Sequence, residues 1–283
     1  MKTILSLGVG VNSVALLVLK AQGIIDFDEA VFADTGAEQP ETYDYWHYVV
    51  IPFCFDNNIN LARINREGKT LPDHCLEKHI IPSRMFRWCT DKWKIQVQRK
   101  YALTKYGKED KVNFLIGYAA DEKERADKCI LSGQYPLIDL GIDREGCKKI
   151  IREVKFTHAN KKAGLPVPVK SGCWCCPYQS EEALIRLYKK HPELYAKAEE
   201  MEKNGSRYPE MFLAFPAIGR LEALRHKLEA NKNYCPTKTT QRLLFCPMCE
   251  IFDEEEEVDY TGYENYHLQV AIVDNKPISE GKQ

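Results

Sequence analysis

No uncharged apolar run in the 283-residue chain approaches the roughly 20 residues that a bilayer-spanning helix needs, which argues against a helical membrane protein. Net charge is nearly absent as well: 40 Lys and Arg stand against 41 Asp and Glu, for a formal charge of -1. That balance removes any global electrostatic case for nucleic acid and leaves only a local basic face as a route to it. Internal repeats and low-complexity segments are missing too, so the chain does not read as a solenoid or a flexible array. The start, Met1 to Gly8, lacks the apolar core and small-residue cleavage site of a signal peptide, and a cytoplasmic location is expected.

What the chain has is an ordinary globular composition, 44% hydrophobic and 29% charged, and an unusual number of cysteines, eleven. In a reducing compartment, metal or redox chemistry explains them better than disulfides do. The length suits one large α/β domain with an appendage, or two small domains.

Residues 3 to 8 form a short apolar run ending in glycines, and Ser13 to Leu19 reads as an apolar helix. Strand, glycine-rich turn and helix together open a parallel α/β unit. Ala30 to Ala33 predicts a second strand, stopping at Asp34-Thr35-Gly36, and Pro40-Glu41-Thr42 starts a helix. A third strand is expected within Cys54 to Ile64, a long amphipathic helix over Arg84 to Tyr106, and a further strand over Val112 to Gly117. From about residue 155 the texture turns to a Gly/Pro/Cys-rich loop, then to helices over Glu181 to Lys203 and Ile218 to Ala230, with an acidic loop at Asp253 to Glu257 and a frayed tail from Asn275. Such alternation implies a parallel sheet, whose ligands sit at the carboxyl ends of the strands, where Asp34, Thr35 and Gly117 to Arg125 fall.

Ser6-Leu7-Gly8-Val9-Gly10-Val11-Asn12-Ser13 puts small residues where strand becomes helix, so backbone N–H groups and the Ser13 hydroxyl can face one space and hold a phosphate. It lacks the Lys of a P-loop and the third Gly of the dinucleotide fingerprint, and on spacing alone a ligand-free turn is an equal reading. Asp34 reads either as a carboxylate for Mg²⁺ or a ribose or as a helix N-cap. Cys173-Trp174-Cys175-Cys176-Pro177, after Gly172, is a short loop able to aim two thiolates at one metal, with Cys175 as an extra ligand. Cys246-Pro247-Met248-Cys249 is a second C-x-x-C, and the two pairs together also suit zinc, or simply reduced buried thiols. Cys54, Cys75, Cys129 and Cys147 stand alone and read as packing. Arg84, Arg87, Lys92 and Lys94 flank Cys89 as a collar for anions or as a solvated helix face.

Several of these segments resemble the phosphoadenosine-phosphosulfate (PAPS) reductase family, within the PP-loop ATP pyrophosphatase or adenine nucleotide alpha hydrolase-like superfamily. Ser6-x-Gly8-x-Gly10-x-Asn12-Ser13 is similar to the PP-loop S-G-G-x-D-S. Phe32 to Tyr43 is similar to F-x-D-T-G-x-E-x-P-E-T-Y, and Ile116 to Arg125 resembles the loop G-x-R-x-D-E-S-x-R. Tyr135 to Asp139 resembles Y-P-L-x-x-W, and Gly164-Leu165-Pro166 with Ser171 to Pro177 resembles G-L-P and G-C-x-x-C, all in family order over roughly residues 3 to 180. The departures are Gly8 for Ser, Val9 for a loop Gly and Asn12 for Asp, and they weaken ATP cleavage more than nucleotide binding.

The resemblance implies an α/β, parallel-sheet, Rossmann-like nucleotide domain over 1–180, with a Cys-rich helical C-terminal region over 181–283. It implies an adenine nucleotide (ATP or a phosphosulfate nucleotide, with Mg²⁺) at Ser6, Gly8, Gly10, Asn12, Ser13, Thr35, Gly36 and Gly117, and catalytic roles for Asp34, Asp121, Glu122 and Arg125. It also implies a four-iron iron–sulfur cluster on Cys89, Cys173 and Cys176, the fourth position going to Cys175, a more distant thiol or substrate sulfur. The expected partners are a sulfur donor or reductant protein, an acceptor such as a nucleic-acid base, and a second copy in a homodimer. The expected activity is ATP-dependent sulfur transfer. A PAPS or adenylyl-sulfate reductase is the alternative, though the family's E-C-G-x-H thiol segment does not occur. A zinc-stabilised nucleic-acid-binding protein is the non-catalytic alternative.

Overall fold

The computed structural model describes residues 1–66, 68–84, 86–107, 112–129, 131, 133–158, 161–169, 171–205, 218–231 and 234. Cys235, Cys246, Cys249, the acidic stretch and the tail lie outside them.

Four parallel strands form one sheet in the order β3-β2-β1-β4: β1 (Lys2–Leu7), β2 (Glu29–Ala33), β3 (Leu61–Ile64) and β4 (Val112–Ile116). Side chains alternate across the sheet, as a two-residue period requires. Leu5, Leu7, Ala30, Phe32 and Leu115 enter the apolar layer on one face, and Ile4, Val31, Ala33, Ala62, Ile64 and Phe114 the layer on the other. The first layer is closed by α1 (Val11–Ala21), α9 (Arg144–Glu153) and the helical run Pro40–Asp56, the second by the helix ending at Tyr106. Among the described residues no helix is long and apolar enough to cross a membrane.

The run from Pro40 consists of α2 (Pro40–Tyr45), a π turn (Trp46–Val50) and α3 (Ile51–Asp56). Pro52 has no N–H to offer the carbonyl four residues back, and the wider turn just before it absorbs that break. Cys54 to Asp56 therefore ends a helix, packed into the first layer, and is not strand as the sequence suggested. Asn58, left-handed at φ 52°, turns the chain, and strand begins only at Leu61. Two further boundaries moved for local reasons. The helix expected from Arg84 starts at Trp88, because Arg87 is left-handed at φ 44°, and it comprises α5 (Trp88–Thr90), a π turn (Asp91–Ile95) and α6 (Gln96–Tyr106). The stretch 181–203 is two helices, α10 (Glu181–Lys190) and α11 (Pro192–Asn204), with Pro192 opening the second.

Earlier in the chain stand α4 (Leu71–Lys78), α7 (Lys123–Ala126) and α8 (Pro136–Asp139), and the antiparallel pair β5 (Phe156–His158) and β6 (Lys161–Ala163) falls where the sequence had suggested only loop. The last described helix, α12 (Leu221–Ala230), joins α4, α10 and α11 around Trp93, Trp174, Cys75 and Cys175 in a third apolar cluster. Ser180 caps α10 by accepting from the Ala183 N–H.

Candidate functional site

Chain order runs outward from β1 through β2 to β3, then jumps back to place β4 on β1's free side, with Ser6 beside Ile116. Connections diverge at such a switch point and leave a crevice beyond the carboxyl ends of the two strands. The glycine turn leaves β1 there, and the Gly117 loop leaves β4.

In the turn Gly8-Val9-Gly10, Val9 takes a left-handed φ of 55°, a conformation that costs a β-branched residue about 1–3 kcal/mol. Its side chain is fully buried, and burial of a valine contributes about 1.5–3 kcal/mol, enough to offset the strain. Ser13 Oγ accepts from the N–H groups of Gly8 (3.3 Å) and Gly10 (3.2 Å) and donates to Gly10 O (3.1 Å). Bonds this long are weak and exchangeable. They gather the turn's donors beside the first turn of α1, whose own N–H groups have no intrahelical acceptor. A Cβ at Gly10 would sit 2.5 Å from Ser171 Oγ, so any side chain there displaces the Ser171 hydroxyl.

The opposite wall begins at Gly117. Asn12 Nδ2 donates to Gly117 O (3.1 Å) and to Glu122 Oε2 (2.7 Å), and the Ala119 N–H donates to the same carboxylate oxygen (3.2 Å). This gives the Asp-to-Asn departure a physical reason, because an aspartate could not donate and would repel Glu122. Glu122 also pairs with Arg125, whose guanidinium lies 4.7 Å from the Tyr118 ring centroid. Asn12 Oδ1 is buried with no hydrogen-bond partner among the described residues.

These walls enclose a cleft of about 260 Å³, lined by Ser6, Gly8, Gly10, Asn12, Ser13, Gly117, Glu122 and Arg125 of the expected set. Tyr118, within the strand-end segment Gly117 to Arg125, lines it as well, as do Arg144 and Ser171, which the sequence did not mark as site residues. Asp121 is exposed on the 3-10 turn Ala120–Glu122 and does not line the cleft.

Asp34, Thr35 and Gly36, at the end of β2, do not line it either. Asp34 Oδ1 accepts from the Gly36 N–H (2.8 Å) and the Tyr43 hydroxyl (2.7 Å), and Oδ2 from Arg63 Nη2 (2.6 Å) and Nε (3.0 Å). That carboxylate ties down the β2 turn. Burial and the neighbouring Asp34 push the Tyr43 phenol above its ordinary value. Thr35 turns toward the cysteines: its Oγ1 lies 3.3 Å from Cys173 Sγ.

The cysteine loop pairs with the same turn, since the Gln39 N–H donates to Gly172 O and the Trp174 N–H to Ala37 O. Cys173 Sγ lies 3.8 Å from Glu38 Oε1, which accepts from Lys94 Nζ at 2.8 Å. Burial pushes the Cys173 thiol well up, and the Glu38 carboxylate adds to the shift against the opposing pull of Lys94. Burial likewise raises Cys175, reinforced by Cys173, Cys75, Cys176 and Cys89, and raises Cys89. Burial works to lower the Lys94 ammonium, but Glu38 and Cys173 outweigh it and hold it above the ordinary lysine value.

Cys75, which the sequence gave no reason to group with the others, joins the set: burial and Cys89 push its thiol up to about 12. The donor chemistry of this region, four thiols that each act on Cys175 beside a buried Glu38 whose Oε2 lacks a hydrogen-bond partner among the described residues, suits a soft metal. The arrangement does not fit one, because no three His, Cys, Asp or Glu side chains among the described residues converge to hold a metal ion. The basic collar disperses: Lys94 is paired to Glu38, Arg84 lies 4.7 Å from the Tyr178 ring centroid, and Arg87 and Lys92 are exposed.

No family model matches the chain. Over 186 residues, 63% of the chain, it is 26% identical to an uncharacterized protein, MJ0973, of Methanocaldococcus jannaschii, and the match spans 42% of that protein's length.

Proposed function

We propose that this chain is an enzyme of the PAPS reductase type. In this reading its adenine nucleotide alpha hydrolase-like domain binds ATP or a phosphosulfate nucleotide in the glycine-turn cleft and serves ATP-dependent sulfur transfer. One observation carries the reading. Three segments far apart in the chain, residues 6–13, residues 117–125 and Ser171, meet in one cleft at the switch point of the sheet, and Cys173 follows two residues after Ser171.

The cleft offers what a phosphate needs: the unpaired N–H groups opening α1, the positive end of that helix, a hydroxyl and guanidinium groups. The thiol loop is joined to this cleft by backbone, so a nucleotide-activated group and a sulfur carrier could be served by one short segment.

Calorimetric titration with ATP and with a phosphosulfate nucleotide tests the binding. Gly10→Val combined with Ser13→Ala removes the hydroxyl and drives a side chain into Ser171, and is expected to abolish binding while the protein stays folded by circular dichroism. Equal affinity in wild type and double variant would sink the reading.

A further inference from the structure

Three of the residues lining the cleft are charged: Glu122, Arg125 and Arg144. Glu122 is fixed by the Asn12 amide and the Ala119 N–H and is paired with Arg125, so that cation is compensated before any ligand arrives. Arg144 is different. Among the described residues it has no ion-pair or hydrogen-bond partner, and the acids beside it are committed elsewhere: Asp143 accepts from the Gly146 N–H at 2.7 Å, and Glu145 pairs with Lys148 at 2.8 Å. Arg144 is the first residue of α9, which packs along α1. The Ala120 N–H donates to Ile142 O at 2.8 Å, fastening the start of α9 to the loop that carries Glu122 and Arg125.

We propose that Arg144 is the anion-anchoring residue of this cleft, and that its uncompensated charge selects ligands bearing phosphate over bare nucleosides. The proposal rests on the nucleotide reading of the cleft. With Glu122 and Arg125 cancelling, Arg144 alone sets the sign of the lining and leaves it one positive charge to add to the N-terminus of α1. A phosphate placed between that helix end and Arg144 receives backbone donors from one side and a planar fork of N–H groups from the other.

The experiment is calorimetry with ATP and with inorganic pyrophosphate on wild type, Arg144→Ala, Arg144→Lys and Lys149→Ala. The last removes one exposed positive charge from the same helix. Arg144→Ala is expected to weaken both ligands by about 10- to 100-fold, the worth of a charge-assisted hydrogen bond. Arg144→Lys, which keeps the charge and loses the fork, should fall between, and Lys149→Ala should match wild type. If Arg144→Ala does not fold, the lysine variant carries the test by itself. Wild-type affinity in the Arg144 variants, or an equal loss in Lys149→Ala, overturns the role of Arg144 while binding by wild type keeps the nucleotide reading intact. Wild type that binds neither ATP nor pyrophosphate overturns both.

Discussion

Ser171 and Cys173 are two residues apart, yet they belong to environments built on opposite physical plans. On the Ser171 side the cleft is open and polar. Its donors are held by bonds of 3.2–3.3 Å that an incoming anion can replace, and its charges are arranged so that one guanidinium is left over. On the Cys173 side apolar packing dominates: Trp93, Trp174, Cys75 and Cys175 are each at most 3% exposed, and burial pushes the Cys173 and Cys175 thiols well above their ordinary value. A preorganised set of exchangeable donors can receive a ligand as it stands. Among the described residues the thiols converge on no common metal site, and holding a metal there requires rearrangement.

Damage to the apolar side should leave the polar side intact. Trp93→Ala removes a side chain 1% exposed at the centre of the thiol cluster and is expected to cost about 3–5 kcal/mol in denaturant unfolding. Because Trp93 does not line the cleft, ATP affinity of the folded variant should stay within about twofold of wild type. Nucleotide binding lost in step with stability would show that the two regions act as one.

A smaller effect sharpens the view of the cleft. Val9→Ala keeps the left-handed strain and gives up burial, whereas Val9→Gly gives up burial and relieves the strain, so glycine should be the less damaging change by about 1 kcal/mol. Chemical denaturation of both variants reads that difference directly, and an alanine variant as stable as the glycine variant would remove the strain argument.

Much of this was legible because the signals were local. β1, β2 and β4 follow from apolar runs ended by Gly or Asp-Thr-Gly, and the cleft's first wall is one continuous segment, Ser6 to Ser13. What escaped depends on tertiary proximity. Arg144 reaches the cleft only because Ala120 is bonded to Ile142 and α9 packs on α1, and no spacing near Arg125 announces it. Cys75 has no neighbouring cysteine in sequence and meets the others through the packing of α4. Asp34 stands in a segment that resembles a nucleotide motif, but Arg63, on the next strand, takes up its carboxylate. The strand expected from Cys54 failed for a local reason, since Pro52 sits inside a helix whose preceding π turn accommodates it.

The most direct test of the central claim is a crystal structure of the protein grown with saturating ATP. The account predicts phosphate oxygens within hydrogen-bond distance of the Asn12 and Ser13 N–H groups, between Ser171 and the Gly117 loop, with Arg144 turned onto them. Phosphates bound elsewhere on the molecule, with this cleft holding only water, would contradict it.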